Sequence, residues 1–109
     1  MKKAGAGAVC LIVFLCCAAV ACGQNPAEVS GGEGLFKRYC QSCHPGGKNA
    51  INPAKTLYVQ DLKKRSIETP EAIVKIIRKA SPPMPSFDEK TISDKDADAI
   101  ARYILQTFQ

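Results

Sequence analysis

A single histidine, His44, and no tryptophan stand in a chain of 109 residues. One imidazole leaves little equipment for general acid–base catalysis, in which histidine is the commonest participant. It also argues against a zinc site, which needs a second pair of nitrogen or sulfur ligands beside the first. No basic run with interleaved aromatics is present, so the footprint of a nucleic-acid binder is missing. No convincing strand, internal repeat or low-complexity segment can be picked out. Methionine is nearly as scarce as histidine, with Met84 the one example besides the initiator. Charge of one sign is in only modest excess. The formal net charge is +5, and it falls to +3 once Lys2 and Lys3 are removed, with 13 basic side chains left against 10 acidic ones.

What is there centres on Cys40-Gln41-Ser42-Cys43-His44. C-x-x-C-H is the attachment signature of a c-type haem. Two thiols one helical turn apart can both reach vinyl groups along one edge of a porphyrin, and the adjacent imidazole can serve as proximal iron ligand. The competing reading of C-x-x-C, a dithiol oxidoreductase, calls for a βαβ context that this sequence does not show. A covalently held haem also answers a problem of size. Without its first 21 residues the chain is close to the length below which a core needs a staple, a metal or a cofactor.

Residues 1–21 read as an export signal: Lys2 and Lys3, an apolar stretch, then Ala19-Val20-Ala21 as a small-residue cleavage pattern. Cys10, Cys16 and Cys17 in that stretch behave as small hydrophobes. Cys22 admits three readings: the lipidated first residue of a bacterial lipoprotein, a free thiol after ordinary cleavage, or part of an uncleaved anchor. All three put the domain outside the cytoplasm, in the bacterial periplasm or tethered at its membrane. Residues 22–30 are expected to form a flexible tether, and 31–109 a single domain.

That domain reads as all-α, with about four short helices. Ser30 and Glu33 have capping-box spacing, which predicts a first helix starting near Gly31 or Gly32 and running into the haem motif. Gly32 costs helix propensity, which a close helix crossing there would explain. The turn-rich segment 45–53 must wrap the His44 side of the haem, and the Pro53 carbonyl is the candidate acceptor for the imidazole Nδ1–H. A short helix follows, ending in Lys63-Lys64-Arg65. Thr69-Pro70-Glu71 starts a third helix, with Ile73, Ile76, Ile77 and Ala80 on one face. Ser93, with Asp94 and Asp96 behind it, starts the last, whose apolar face is Ala97, Ile100, Tyr103 and Ile104. Between these two helices, Ser81-Pro82-Pro83-Met84-Pro85-Ser86-Phe87 is expected to be extended and stiff. A lone methionine in a loop is ordinarily a gap-filler. On this loop, about forty residues after the haem motif, its thioether is the candidate sixth ligand of a His/Met site.

With Cys40-x-x-Cys43-His44 and Met84-Pro85-Ser86-Phe87 both located, the chain resembles the class I cytochromes c, and among them cytochrome c6. The likeness runs from about Gly32 to Phe108. Gly32-x-x-x-Phe36 resembles the family's N-terminal helix, and Tyr103 matches the aromatic on the facing C-terminal helix. Gly46-Gly47-Lys48-Asn49 and Asn52-Pro53-Ala54-Lys55-Thr56-Leu57 resemble its loop after the haem motif. The resemblance implies one covalently attached haem c, thioethers at Cys40 and Cys43, axial ligation by His44 and Met84, and a monomer that carries electrons between redox partners. Two features depart from the photosynthetic members: Lys79-Ala80-Ser81-Pro82-Pro83 before the methionine, and Ile76 where they often place a Gln. These two bear on the redox potential and the partner, while Cys22 fits a respiratory bacterium better than a freely diffusing photosynthetic carrier.

If both axial positions are filled, no site is left for substrate, and the expected role is electron transfer rather than enzymatic catalysis. Lys37, Arg38, Lys48, Lys55, Lys75, Arg78 and Lys79 are candidates for a basic rim that steers acidic partners, or are ordinary solvated cations. Two alternatives remain open. One is a sensor or peroxidase-like protein with a dissociable Met84, for which Arg78 is the one nearby cation to consider. The other is a haem subunit of a larger oxidoreductase.

Overall fold

Helix α1 spans Pro26–Tyr39 in the computed structural model, which describes residues 26–109. It begins ahead of the expected start, so Ser30 lies in its second turn and is not its N-cap. Among the described residues the helix is already formed at Pro26, four residues ahead of Ser30. Residues 26–30 are therefore helical where the tether was expected to run. The expected export signal and Cys22 lie outside the described residues.

Helix α2 covers Val59–Lys64, α3 Pro70–Lys79 and α4 Asp94–Thr107, and no strand occurs among the described residues. The start signals of α3 and α4 work as their residue types dictate. The Thr69 hydroxyl accepts the Ala72 N–H at 3.2 Å, and the Ser93 hydroxyl accepts the Asp96 N–H at 3.2 Å. Each satisfies one of the orphan donors that open a helix. The end of α2 is a Schellman closure, in which Ile67 N–H reaches the Leu62 carbonyl at 3.0 Å and Ser66 N–H that of Lys63 at 2.9 Å. Ser66 sits in the left-handed region at φ +58°, a position that glycine usually fills.

Helices α1 and α4 cross at Gly32. A β-carbon there would run into the Ala99 carbonyl and come within 2.9 Å of Tyr103 Cβ. One turn later Phe36 fills the crossing, with its ring 5.4 Å from Tyr103 and 5.3 Å from Phe108. Pairs of this kind add about 0.5–1.5 kcal/mol beyond their buried area. The core continues through Ala97, Ile100 and Ile104 of α4 and Ile73 and Ile77 of α3, all buried. These are the faces the 3.6-residue spacing indicates. Leu62, Ile67 and Ile92, from α2 and the loops, complete it. No helix among the described residues is long and apolar enough to cross a membrane.

Candidate functional site

The C-x-x-C-H segment continues the end of α1. Cys40 N–H donates to the Phe36 carbonyl at 2.8 Å, and His44 N–H to that of Cys40 at 2.9 Å. This one further turn sets both cysteines and His44 on the lining of the same cavity. The two thiols are not joined in a disulfide. Burial pushes the Cys40 thiol up to about 11, so it is neutral near pH 7 in the haem-free chain.

His44 is buried, and its Nδ1–H donates to the Lys48 carbonyl at 3.0 Å. The acceptor is thus Lys48, not Pro53. The chain turns back sooner than expected because Gly46 and Gly47 take φ of +60° and +80°, a conformation that side chains resist. A single 3₁₀ turn at Pro45–Gly47 returns the Lys48 carbonyl to the ring. Gly47 also has no room for a side chain, since a β-carbon would lie 2.6 Å from the Phe108 ring. The loop beyond is organised by Asn49, whose side-chain oxygen accepts the N–H groups of Ile51 at 3.0 Å and Asn52 at 2.8 Å. With Nδ1 engaged, Nε2 has no hydrogen-bond partner among the described residues, which frees it to bind a metal.

Met84 also borders this cavity, from the loop between α3 and α4. Its N–H donates to the Ser81 carbonyl at 3.1 Å, so the segment turns here and is not simply extended. The loop is fastened back onto α3 by Ser86 Oγ donating to the Ala80 carbonyl at 2.8 Å and Phe87 N–H to that of Ile77 at 2.9 Å. The Phe87 ring meets Tyr39 edge-on at 6.0 Å.

Cys40, Cys43, His44 and Met84 therefore border one cavity of about 470 Å³. That volume is in the ordinary range for cofactor pockets, about 300–1,000 Å³. Leu57, Leu62, Ile67, Ile73, Ile77 and Ile104 supply its apolar walls. An imidazole, a thioether and two thiols on the lining of one such cavity are a donor set that suits a c-type haem.

The expected basic rim is only partly realised. Lys55 and Lys79 border the cavity. Lys37 instead pairs with Glu33 at 2.6 Å on the outer face of α1, and Arg38 lies over the Tyr39 ring at 5.2 Å. Arg78 turns to the 87–94 segment, donating to the Phe87 and Ile92 carbonyls and to Asp94, and is absent from the cavity lining. Its guanidinium is therefore engaged away from the cavity lining where a rim cation or distal group was expected. Arg65, expected only as part of the basic end of the second helix, does border the cavity. Helical spacing before an unplaced turn could not have disclosed that.

Residues 27–104 match the family described as cytochrome c oxidase, cbb3-type, subunit III. Cytochrome c6 of Microcystis aeruginosa is 43% identical over 74 residues, which is 68% of this chain and 90% of that protein. The chain belongs to the class I cytochromes c. Its folded part also superposes on solved structures of that kind. The outer membrane cytochrome OmcF of Geobacter sulfurreducens is 36% identical with a TM-score of 0.69, over 72% of this chain and 99% of that one. Cytochrome c6 of the diatom Phaeodactylum tricornutum is 32% identical with a TM-score of 0.66, over 72% and 91%. This class I cytochrome c, close to cytochrome c6, carries one covalently attached c-type haem and serves as an electron carrier.

Proposed function

We propose that Cys40 and Cys43 hold the haem through thioether bonds, that His44 and Met84 are its two axial iron ligands, and that the chain catalyses no reaction of its own. The haem supplies one-electron cycling between ferric and ferrous iron. The chain does the rest. The Lys48 carbonyl orients the His44 ring and raises its donor strength through the Nδ1–H bond. The isoleucine-rich walls exclude water, and the fastened Met84 loop keeps exogenous ligands from the iron. Met ligation also raises the potential relative to bis-His ligation. The observation that carries this reading is that Cys40, Cys43, His44 and Met84 all border a single apolar cavity.

An optical spectrum of the haem-loaded protein, oxidised and reduced, is the test, followed by carbon monoxide and the Met84→Ala variant. A low-spin spectrum with the weak far-red band of Met–iron ligation, no carbon monoxide response, and loss of the band in the variant is expected. A high-spin spectrum, or rapid carbon monoxide binding by the unaltered protein, overturns the carrier reading in favour of a sensor or enzyme.

Lys55, Arg65 and Lys79 at the cavity favour acidic redox partners, met by a monomer in short-lived encounters. Export through residues 1–21 delivers the domain to the periplasm, with Cys22 as its lipid attachment point. The intact mass of the mature chain separates a lipidated Cys22 from plain cleavage. A second reading, a domain docked in a larger respiratory oxidase, is favoured by the description of the matched family. Co-purification with a membrane complex at native expression levels would establish it.

A further inference from the structure

We propose that Arg78 is a positioning residue for the redox site: a clamp that ties both ends of the 87–94 segment to α3 and so keeps the Met84 loop shut. The inference rests on the reading of Met84 as the sixth iron ligand.

The guanidinium reaches three places. One terminal nitrogen donates to the Phe87 carbonyl at 3.1 Å and to the Ile92 carbonyl at 2.8 Å, while the other meets Asp94 Oδ1 at 2.7 Å. Phe87 is where the Met84 loop leaves the cavity, Ile92 ends the following connection, and Asp94 opens α4. Arg78 itself sits on α3, with its side chain only 17% exposed. One planar fork thus gathers three points of the chain onto a fourth, a geometry that five fixed N–H donors allow and a single ammonium does not.

The consequence for Met84 follows from how the loop is anchored. Its entry needs no special device, because Ala80 and Ser81 continue directly from α3. Its exit must be brought back. The Phe87 peptide is gripped at both ends, its N–H by the Ile77 carbonyl at 2.9 Å and its carbonyl by Arg78. Without the guanidinium, the carbonyls of Phe87 and Ile92 lose a charged donor, and loop opening lets water replace it. Opening there swings the segment that carries Met84, three residues upstream, while the α1–α4 crossing is untouched.

Imidazole added to the ferric holoprotein measures this opening, because it occupies the iron only when Met84 is off. Its apparent affinity therefore scales with the open fraction. Arg78→Met is expected to bind imidazole about tenfold more tightly than the unaltered protein, with Arg78→Lys between them. Ile100→Val, a core truncation in α4 away from the cavity, serves as control for a general loss of stability. If Arg78→Met matches the unaltered protein, or gains no more affinity than Ile100→Val, the clamp is refuted. Should Arg78→Met fail to take up haem, Arg78→Lys alone decides by the same comparison. The far-red band of the unaltered protein keeps the two readings apart: its absence would sink Met84 ligation and the clamp together, whereas its presence with unchanged imidazole affinity sinks the clamp alone.

Discussion

Gly32→Ala and Gly34→Ala place the same methyl group on the same helix and should move stability in opposite directions. Both glycines lie in α1, and replacing an interior helical glycine by alanine gains about 0.8–1.0 kcal/mol from propensity. At Gly34 nothing lies within 4 Å of the new carbon, so the full gain is expected. At Gly32 the carbon meets the Ala99 backbone and lies 2.9 Å from Tyr103 Cβ. Backbone atoms of a packed helix cannot move aside singly, so α1 and α4 must separate, loosening Phe36 from Tyr103 and Phe108. Overpacking of this kind costs about 1–3 kcal/mol, and a clash with backbone belongs at the upper end. After the propensity gain, a net loss of about 2 kcal/mol remains. That corresponds to a fall in Tm on the order of 10 °C for a domain of this size. Guanidinium denaturation of the two holoproteins, followed by far-UV circular dichroism, reads the difference as a shift in midpoint at constant slope. A Gly32→Ala protein as stable as its parent would refute the close crossing.

Ser66→Gly should stabilise the fold by about 1 kcal/mol, because a side chain is held at φ +58° in a closure that suits glycine. Thermal melts check this, and an unchanged or lower Tm would count against the strain. Asp88 should show an acid-side effect. The Thr91 backbone N–H, and then its hydroxyl, hold the Asp88 carboxyl below its ordinary 3.8. A group depressed in the fold contributes stability above its unfolded pKa and loses it as pH falls through the folded value. The contribution is therefore complete at neutral pH and disappears below about pH 4, and Asp88→Asn should flatten that part of the acid-unfolding profile. Lys79→Glu should slow oxidation of the ferrous protein by ferricyanide about three- to tenfold at low ionic strength, the gap closing with added salt. A salt-independent difference in stopped-flow rates would assign the effect to something other than charge.

The helices were legible because their signals are local. Thr69 and Ser93 cap where they stand, and the isoleucines of α3 and the Ala97, Ile100, Ile104 stripe of α4 repeat at the helical period. The first helix was misjudged at its start because Ser30 and Glu33 mimic a capping box, while the chain is already helical at Pro26. Arg78 was misjudged for a different reason. A position on a helix fixes a direction, but what the side chain meets depends on where a distant loop returns.

From residue order alone came the haem motif, since two thiols and an imidazole within five residues are placed by covalent geometry and one turn of helix. Met84 was singled out by scarcity and by the prolines around it, and the small residue at Gly32 marked a close crossing before any partner was seen. Tertiary structure decided the remainder: that Met84 borders the same cavity as His44, that the Lys48 carbonyl and not that of Pro53 accepts the imidazole hydrogen bond, that Arg65 borders the cavity, and that Arg78 grips the loop exit. Apart from the His44–Lys48 bond, which the turn at Gly46 and Gly47 makes locally, these join segments whose separation along the chain carries no information about their separation in space. Only the packing of α1, α3 and α4 around a shared apolar interior brings them together.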